Sequence, residues 1–356
     1  MTGVLHAQVL VVGLGPAGAC AAMQAARAGQ SVTAIERKTQ AGMPVQCAEF
    51  VPITLGVEIS DLSACCEQPV DSMVTFVEDE AGDTVEQFPG LMVDRQAFDL
   101  RLVAQAVEAG AACRFATALK SVHEDGSITL SDGSRIRPKV IIGTDGPKSR
   151  IGRAIGQINQ EIVETRQITV PLLKPLRSTD IFLSASYVGG YGWLFPKGGF
   201  ANLGIGVCPQ AKDQLKPLLD GLHRQLVAEG RVGRQVSRHT GGAIPVGGML
   251  QPHGRIGDVP VFLAGDAAGL ANPITGAGIN AAVQSGRLAG QYAIDLLAGN
   301  DRAQLDYQEE LEDLFKASLD RALRRRANLL QLHSNGKPDQ RDLRRNWIAY
   351  PEYWAA

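Results

Sequence analysis

No two cysteines in this 356-residue chain are spaced as CxxC, which removes the commonest ligand pattern for zinc or an iron–sulfur cluster. The six cysteines, Cys20, Cys47, Cys65, Cys66, Cys113 and Cys208, do not make a disulfide framework either, because the chain is long and shows no secretory signal. Uninterrupted apolar runs are short, and none reaches the roughly 18–20 residues of a membrane-crossing helix. The first residues run almost directly into a strand with no charged-then-apolar leader, so a reduced, cytoplasmic protein is expected. Charge of one sign is also lacking: 35 Lys and Arg stand against 37 Asp and Glu, a formal net charge of -2. That balance gives no reason to expect nucleic acid, which selects for a concentrated basic surface. Internal repeats and low-complexity linkers are absent too.

Glycine, by contrast, is plentiful at 40 residues. It falls in tight clusters, which mark sharp turns or close approach to a ligand. The short apolar run Gln8 to Val12 reads as a buried parallel strand. It leads into Gly13-Leu14-Gly15-Pro16-Ala17-Gly18, an Ala-rich helix to Ala28, Gly29, and a second strand, Val32 to Ile35, ending at Glu36. In such a unit Gly13 permits the tight turn, Gly15 lets backbone reach a pyrophosphate, and Gly18 allows close helix–strand packing. The helix N-terminus, beginning at Pro16, supplies N–H groups from Ala17 onward and partial positive charge. A carboxylate at Glu36 accepts hydrogen bonds from ribose hydroxyls. The order strand, motif, helix, strand, acid points to a bound dinucleotide.

Two later segments select FAD over NAD(P). Lys139 to Thr144 reads as a strand followed by Asp145-Gly146-Pro147-Lys148-Ser149-Arg150, and Val261 to Ala264 as a strand followed by Gly265-Asp266. An acid at a strand's C-terminal end lies in the crevice where open α/β sheets bind ligands, where Asp266 can accept from a ribityl hydroxyl. Gly276-Ala277-Gly278-Ile279-Asn280 opens a long helix whose N–H groups can sit beside the flavin pyrimidine ring. Gly276 to Ala281 also fits GxGxxA, but it comes after a loop and lacks a following strand and acid, so it is not a second nucleotide site.

The set GLGPAG at 13–18, DRQAFD at 94–99, GTDGPKS at 143–149 and GDAAGLANPITGAGIN at 265–280 resembles the hydroxylase-type flavoproteins. More narrowly, GMPVQCAEF at 42–50, YGWLFPKG at 191–198 and GGAIPVGG at 241–248 resemble the geranylgeranyl reductase family, over residues of about 7 to 300. The resemblance implies reduction of isolated C=C bonds in isoprenoid chains. It also implies FAD contacts from Gly13, Gly15, Gly18, Glu36, Arg37, Arg95, Asp145, Asp266 and Gly278. The family's DG motif commonly continues to an arginine where Gly152 stands here, flanked by Arg150 and Arg153.

The expected fold class is α/β: a Rossmann-like FAD-binding domain of the hydroxylase type, an inserted β-rich α+β substrate domain, and a helical C-terminus. The FAD-binding domain is expected over 1–70, 92–160 and 250–300, the substrate-binding domain over 71–91 and 161–249, and the helical segment over 301–356. In that last segment Leu305, Leu311, Leu314, Leu319, Leu323 and Leu330 recur near helical spacing.

Tyr191, Trp193 and Phe195 alternate along one strand and so project from one face. They either line an apolar pocket above the flavin or are ordinary core; the family's YxWxFP pattern favours the pocket. Cys47 matches the family's motif cysteine. Reducing an alkene requires a proton as well as a hydride, and Cys47 either takes part in supplying it or shapes the pocket. Cys65-Cys66, His239 and His253 are assigned no role, and no metal is expected. Arg321, Arg324, Arg325 and Arg326, with the aromatic tail from Trp347 to Trp354, either dock peripherally on a membrane or pack against the body. The leading expectation is an FAD-dependent reductase of an isoprenoid-like or other apolar substrate, fed by an external electron donor, NAD(P)H or a reduced protein carrier. A monooxygenase on the same scaffold is the alternative, and a non-catalytic flavin- or lipid-binding protein the third.

Overall fold

The computed structural model describes residues 4–59 and 62–355; the first three residues, which bear on the expectation of no leader, lie outside the described residues. Strand Val4–Val12 forms the centre of an eight-stranded sheet. It pairs in parallel with Val32–Ile35 on one side and with Arg135–Gly143 on the other, which pairs in parallel with Val259–Leu263. Val9 to Val12 are buried, as a strand covered on both faces requires. The register places Val12 opposite both Ile35 and Gly143, and Gly143 opposite Leu263. Four strands therefore end level, and the residues that continue from them, Gly13, Glu36, Thr144-Asp145 and Gly265-Asp266, meet at one edge. This is the crevice at which open α/β sheets bind ligands.

Three helices cover one side: Pro16–Arg27, Arg95–Glu108 and Ile279–Leu297. Their packing faces are small. Pro16 to Met23 are buried without a break, and the backbone at Ala17 lies so close to Gly286 that a Cβ on this glycine would come within 2.2 Å of the Ala17 carbonyl oxygen. Asp94 caps Arg95–Glu108, its carboxylate accepting from the Ala97 N–H, an arrangement worth about 1 kcal/mol. Leu119–Val122 and Ile128–Leu130 form a short meander that leads into Arg135–Gly143.

A second eight-stranded sheet draws its strands from 72–85 and 162–245. Its order is Arg238–Thr240, Ile162–Pro171, Phe200–Val207, Gly192–Lys197, Ser178–Leu183, Ser72–Val77 and Asp83–Val85, with Ala243–Pro245 also paired to Ile162–Pro171. Helix Leu215–Ala228 buries Leu215, Leu219, Leu222 and Leu226 on one face of it, against Val170, Leu194, Leu203 and Ile205. At about 2 kcal/mol per leucine, that stripe anchors the helix. The opposite face carries Ile181, Trp193 and Phe195. A three-stranded sheet of Phe50–Pro52, Gly90–Val93 and Cys66–Val70 brings Phe50 to Phe195, ring centroids 6.0 Å apart.

The C-terminal segment is helical, as expected, but the leucine stripe is not continuous. In Ala303–Leu311 the buried positions are Ala303, Tyr307 and Leu311, so Leu305 points outward and is 51% exposed. Leu314 falls in the wide turn Glu312–Lys316 and is 50% exposed, because an i→i+5 segment resets the facing of the helix beyond it. Three of the four arginines named above meet groups of the chain itself. Arg325 donates to the backbone oxygens of Tyr353 (3.1 Å) and Ala355 (2.6 Å), and Arg326 is buried, donating to the Gly189 oxygen at 2.7 Å. Arg321 lies over the Trp354 ring at 5.2 Å. No helix among the described residues is long and apolar enough to cross a membrane.

Candidate active site

The first turn is built around backbone contact. Gly13 has φ 100°, and a Cβ there would lie 2.4 Å from the Thr144 carbonyl oxygen; one on Gly18 would lie 1.8 Å from the Gly13 oxygen. Thr144 reinforces the joint, its hydroxyl reaching the oxygens of Val12 (2.9 Å) and Gly13 (2.8 Å). Gly15 caps the helix beginning at Pro16 without any side-chain cap, and the space where its Cβ would stand is open. Free N–H groups beside open space at a helix N-terminus suit a phosphate. Glu36 is aimed by two backbone donors, Leu14 N–H to Oε2 and Lys38 N–H to Oε1, each 2.9 Å. Arg37 beside it is exposed.

Asp145 already has donors within its own loop. Its carboxylate accepts from Ser149 Oγ (2.5 Å) and from the N–H groups of Arg150 (2.6 Å) and Ile151 (3.3 Å). That side chain holds its own loop together. Arg150 in turn donates to the backbone oxygens of Leu119 and Lys120, tying the loop to the meander.

Asp266 is the opposite case. It is half-buried, and no hydrogen bond among the described residues reaches its carboxylate. Desolvation pushes its pKa up to about 6, with Arg95 pulling the other way. The carboxylate lies at the start of helix Ile279–Leu297, where a Cβ on Gly278 would come 3.2 Å from Oδ1. Asn272 shapes the loop before that helix, its Oδ1 accepting from the Ile274 and Thr275 N–H groups. Gly276 turns at φ 68° and Ala277 N–H reaches Thr275 Oγ1 at 3.3 Å. Gly278 caps the helix with no side-chain partner, Ile279 begins it, and Asn280 Oδ1 is buried without a partner. An unpartnered carboxylate, an unpartnered amide oxygen and two open helix N-termini at one sheet edge fit FAD, which carries hydroxyl donors, an N–H and a pyrophosphate.

The reaction face lies on the second sheet. Trp193 stands opposite Ile181 on one side and Gly204 on the other, and Gly204 faces Gln167. A Cβ on Gly204 would meet the Trp193 ring at 2.2 Å, so glycine is what lets the indole lie along the sheet. Its N–H then reaches Gln167 Oε1 at 2.9 Å. Tyr191, Trp193 and Phe195 do share this face: Tyr191 and Trp193 have ring centroids 5.8 Å apart, and all three join one apolar cluster. Tyr191 donates to the Thr275 oxygen at 2.6 Å, and burial pushes its phenol well above the usual range. Trp347 from the C-terminal segment covers Tyr191, with centroids 4.8 Å apart.

Cys47 is a free, half-buried thiol whose Sγ accepts from the Glu49 N–H at 3.2 Å. Its backbone oxygen accepts from Gln167 Nε2 at 3.1 Å. Arg95 lies beside it; desolvation works against the guanidinium's charge, but Asp99 and Cys47 outweigh it and hold Arg95 protonated. Asp99 also accepts from Arg95 Nε at 2.8 Å. Sequence reasoning missed Glu49, which is buried with φ 71° and accepts from Lys197 Nζ (2.8 Å), Asn202 Nδ2 (2.8 Å) and the Arg95 N–H (3.2 Å). It also missed Gln167 and Asn202. The signal present was Asn202, a polar residue in the otherwise apolar strand Phe200–Val207, whereas Gln167 is flanked by Glu164, Thr165, Arg166 and Thr169 and carries no such mark.

The parallel sheet with its phosphate turn, the unpartnered acceptors and the aromatic face define an FAD-dependent oxidoreductase. A family profile described as FAD dependent oxidoreductase matches residues 8–128. The chain is 34% identical, over 87% of its length and 88% of the relative's, to digeranylgeranylglycerophospholipid reductase 1 of Methanopyrus kandleri. It superposes with a TM-score of 0.84 and 26% identity on a geranylgeranyl bacteriochlorophyll reductase-like protein of Thermoplasma acidophilum, covering 94% of this chain and 90% of that one. A probable FAD-dependent monooxygenase of Pseudomonas aeruginosa shares the fold, with a TM-score of 0.71 at 19% identity, covering 95% of this chain and 98% of that one. This chain belongs to the geranylgeranyl reductase family.

Proposed function

We propose that the protein reduces C=C bonds in the isoprenoid chains of a lipid, of the kind its relatives' name specifies. The observation that carries this reading is the apolar aromatic face: Tyr191, Trp193 and Phe195 share one buried cluster with Ile181, Met92 and Ile274. Tyr191 is also bonded directly to the Asn272–Gly278 loop. When bound, FAD in its reduced form supplies hydride to one alkene carbon.

The chain's own residues do the rest. The aromatic face orients an apolar chain and excludes water, which strengthens every electrostatic contact within. Trp193 is fixed through its indole N–H and so sets one edge of the pocket. Cys47 is the proposed source of the proton for the second alkene carbon. The Glu49 N–H donates to its Sγ and the Arg95 guanidinium lies beside it, contacts that hold the sulfur in one orientation. Asp266, Glu36 and the turn Gly13–Gly18 bind the cofactor. An external donor, NAD(P)H or a reduced protein carrier, resupplies electrons.

The test is product analysis. Holoprotein supplied with dithionite and digeranylgeranylglycerophospholipid without oxygen yields lipid heavier by two hydrogens per bond reduced. Recovery of unchanged lipid, or of an oxygenated product once oxygen is admitted, would overturn the reading in favour of a different reaction.

A further inference from the structure

Cys47 and Trp193 come from opposite sides of the site, one on a loop after the second parallel strand and the other on the second sheet. A single buried side chain spans them. Gln167, 5% exposed on strand Ile162–Pro171, accepts from Trp193 Nε1 at 2.9 Å and donates through Nε2 to the Cys47 oxygen at 3.1 Å. Its Nε2 also reaches Thr240 Oγ1 at 3.3 Å. The glutamine amide carries an acceptor oxygen and donor hydrogens at one side-chain terminus, so it can serve both partners at once. From the geometry we infer that Gln167 is a positioning residue: it sets the distance between the Cys47 loop and the Trp193 indole, and so the placement of the thiol against the aromatic face.

The surrounding contacts make this placement specific. The Cys47 loop is also fastened by Gln46 Nε2 to the Gly241 oxygen at 2.9 Å and by Asn202 Nδ2 to the Ala48 oxygen at 3.3 Å. These clamps hold the loop to the sheet but bond neither the indole nor the Cys47 oxygen. Gln167 couples the two groups, so its loss loosens Cys47 and frees Trp193 together while the other clamps keep the loop attached. Gly204 belongs to the same device, because its missing side chain is what lets the indole reach across to Gln167. The inference rests on the roles proposed above for Cys47 and Trp193, but its physical content is a hydrogen-bond geometry that exists without turnover.

The test compares Gln167→Glu, Gln167→Met and Thr240→Val in holoprotein, with thermal unfolding to establish that each folds. Site-resolved alkylation of Cys47 by iodoacetamide is followed by peptide mass spectrometry as a ratio to wild type at each pH. The charged groups on and beside the loop, Arg95, Glu49 and Lys197, are common to all variants. The Gln167→Glu side chain still accepts from the indole but repels the Cys47 oxygen while ionised, so alkylation is faster by about threefold to tenfold, as for one lost hydrogen bond. Protonating the introduced carboxyl restores the donor, and the ratio returns toward one as pH falls. Gln167→Met gives a comparable rise with no such pH dependence, and Thr240→Val leaves the rate unchanged. A ratio of one for Gln167→Glu at every pH overturns the inference. So does a rise that is independent of pH, or an equal rise in Thr240→Val, since each would mean that Gln167 acts only by packing. If wild type fails to reduce lipid, the proposed function fails, while the alkylation ratios still decide the role of Gln167.

Discussion

Replacing Asp266 with asparagine is predicted to act in opposite directions on the free protein and on the cofactor complex. Moving a carboxyl pKa from 3.8 to about 6 corresponds to roughly 3 kcal/mol of penalty on the charged form. Some solvent contact remains, so about 2 kcal/mol is the expected effect. The sign comes from proton uptake. Between the two values the folded state holds more protons than the unfolded one, so stability falls as pH rises through that window and the full penalty stands above about pH 6. Asp266→Asn therefore stabilises the FAD-free protein by about 2 kcal/mol at pH 8, a few degrees in Tm, and has little effect near pH 4. In the complex the relation reverses, because hydroxyl donors of the cofactor meet a charged acceptor and such bonds are worth about 1.5–3 kcal/mol. FAD binding to the variant is accordingly weaker by about tenfold to a hundredfold. Thermal unfolding of FAD-free protein at both pH values and a fluorescence titration with FAD check the two halves. An FAD-free variant no more stable than wild type at pH 8, or one that binds FAD as tightly, would refute the placement of this carboxylate in the cofactor site.

Three further substitutions test the geometry. Gly18→Ala drives a methyl to within 1.8 Å of the Gly13 oxygen, and the purified protein is expected to carry little or no FAD, read from its flavin-to-protein ratio. Gly204→Ala pushes on the Trp193 ring at 2.2 Å. Overpacking of that kind costs about 1–3 kcal/mol of stability, so the variant should fold and retain FAD, while the displaced indole slows lipid reduction in the product assay. Trp347→Ala removes a buried indole packed at a tilt against Tyr191 and should destabilise the holoprotein by about 3–5 kcal/mol, measured by urea unfolding. Trp347→Phe should recover most of that loss.

The cofactor half of the site was legible in sequence because its elements are local. A strand, a glycine turn and an acid report their own geometry, and level strand ends bring the separate pieces to one edge without further information. Alternation along Tyr191, Trp193 and Phe195 likewise predicted their common face. The illegible part depends on pairing across distance. Glu49 meets Lys197 and Asn202, and Gln167 meets Cys47, only after two sheets have packed, and a buried Glu carries no mark of its partners in the sequence. Asp145 shows a related limit. Its position matched the cofactor pattern, and nothing in the sequence marked the three donors of its own loop that its carboxylate accepts from. The C-terminal leucines misled for a different reason: counting spacings assumes one uninterrupted helix, and the wide turn at Glu312–Lys316 breaks the count. The arginines near the end fit either a membrane-facing or a packed helix on composition, and the carbonyl groups of Tyr353, Ala355 and Gly189 that Arg325 and Arg326 meet are distant in the sequence.

The most direct test of the central claim is an anaerobic stopped-flow measurement on the holoprotein, with the bound flavin first reduced by dithionite and then mixed with digeranylgeranylglycerophospholipid. The account predicts return of the oxidised flavin absorbance without oxygen, at a rate that rises with lipid concentration and falls in the Cys47→Ser and Trp193→Phe variants. Flavin that stays reduced in the presence of the lipid, and reoxidises only when oxygen is admitted, would contradict it.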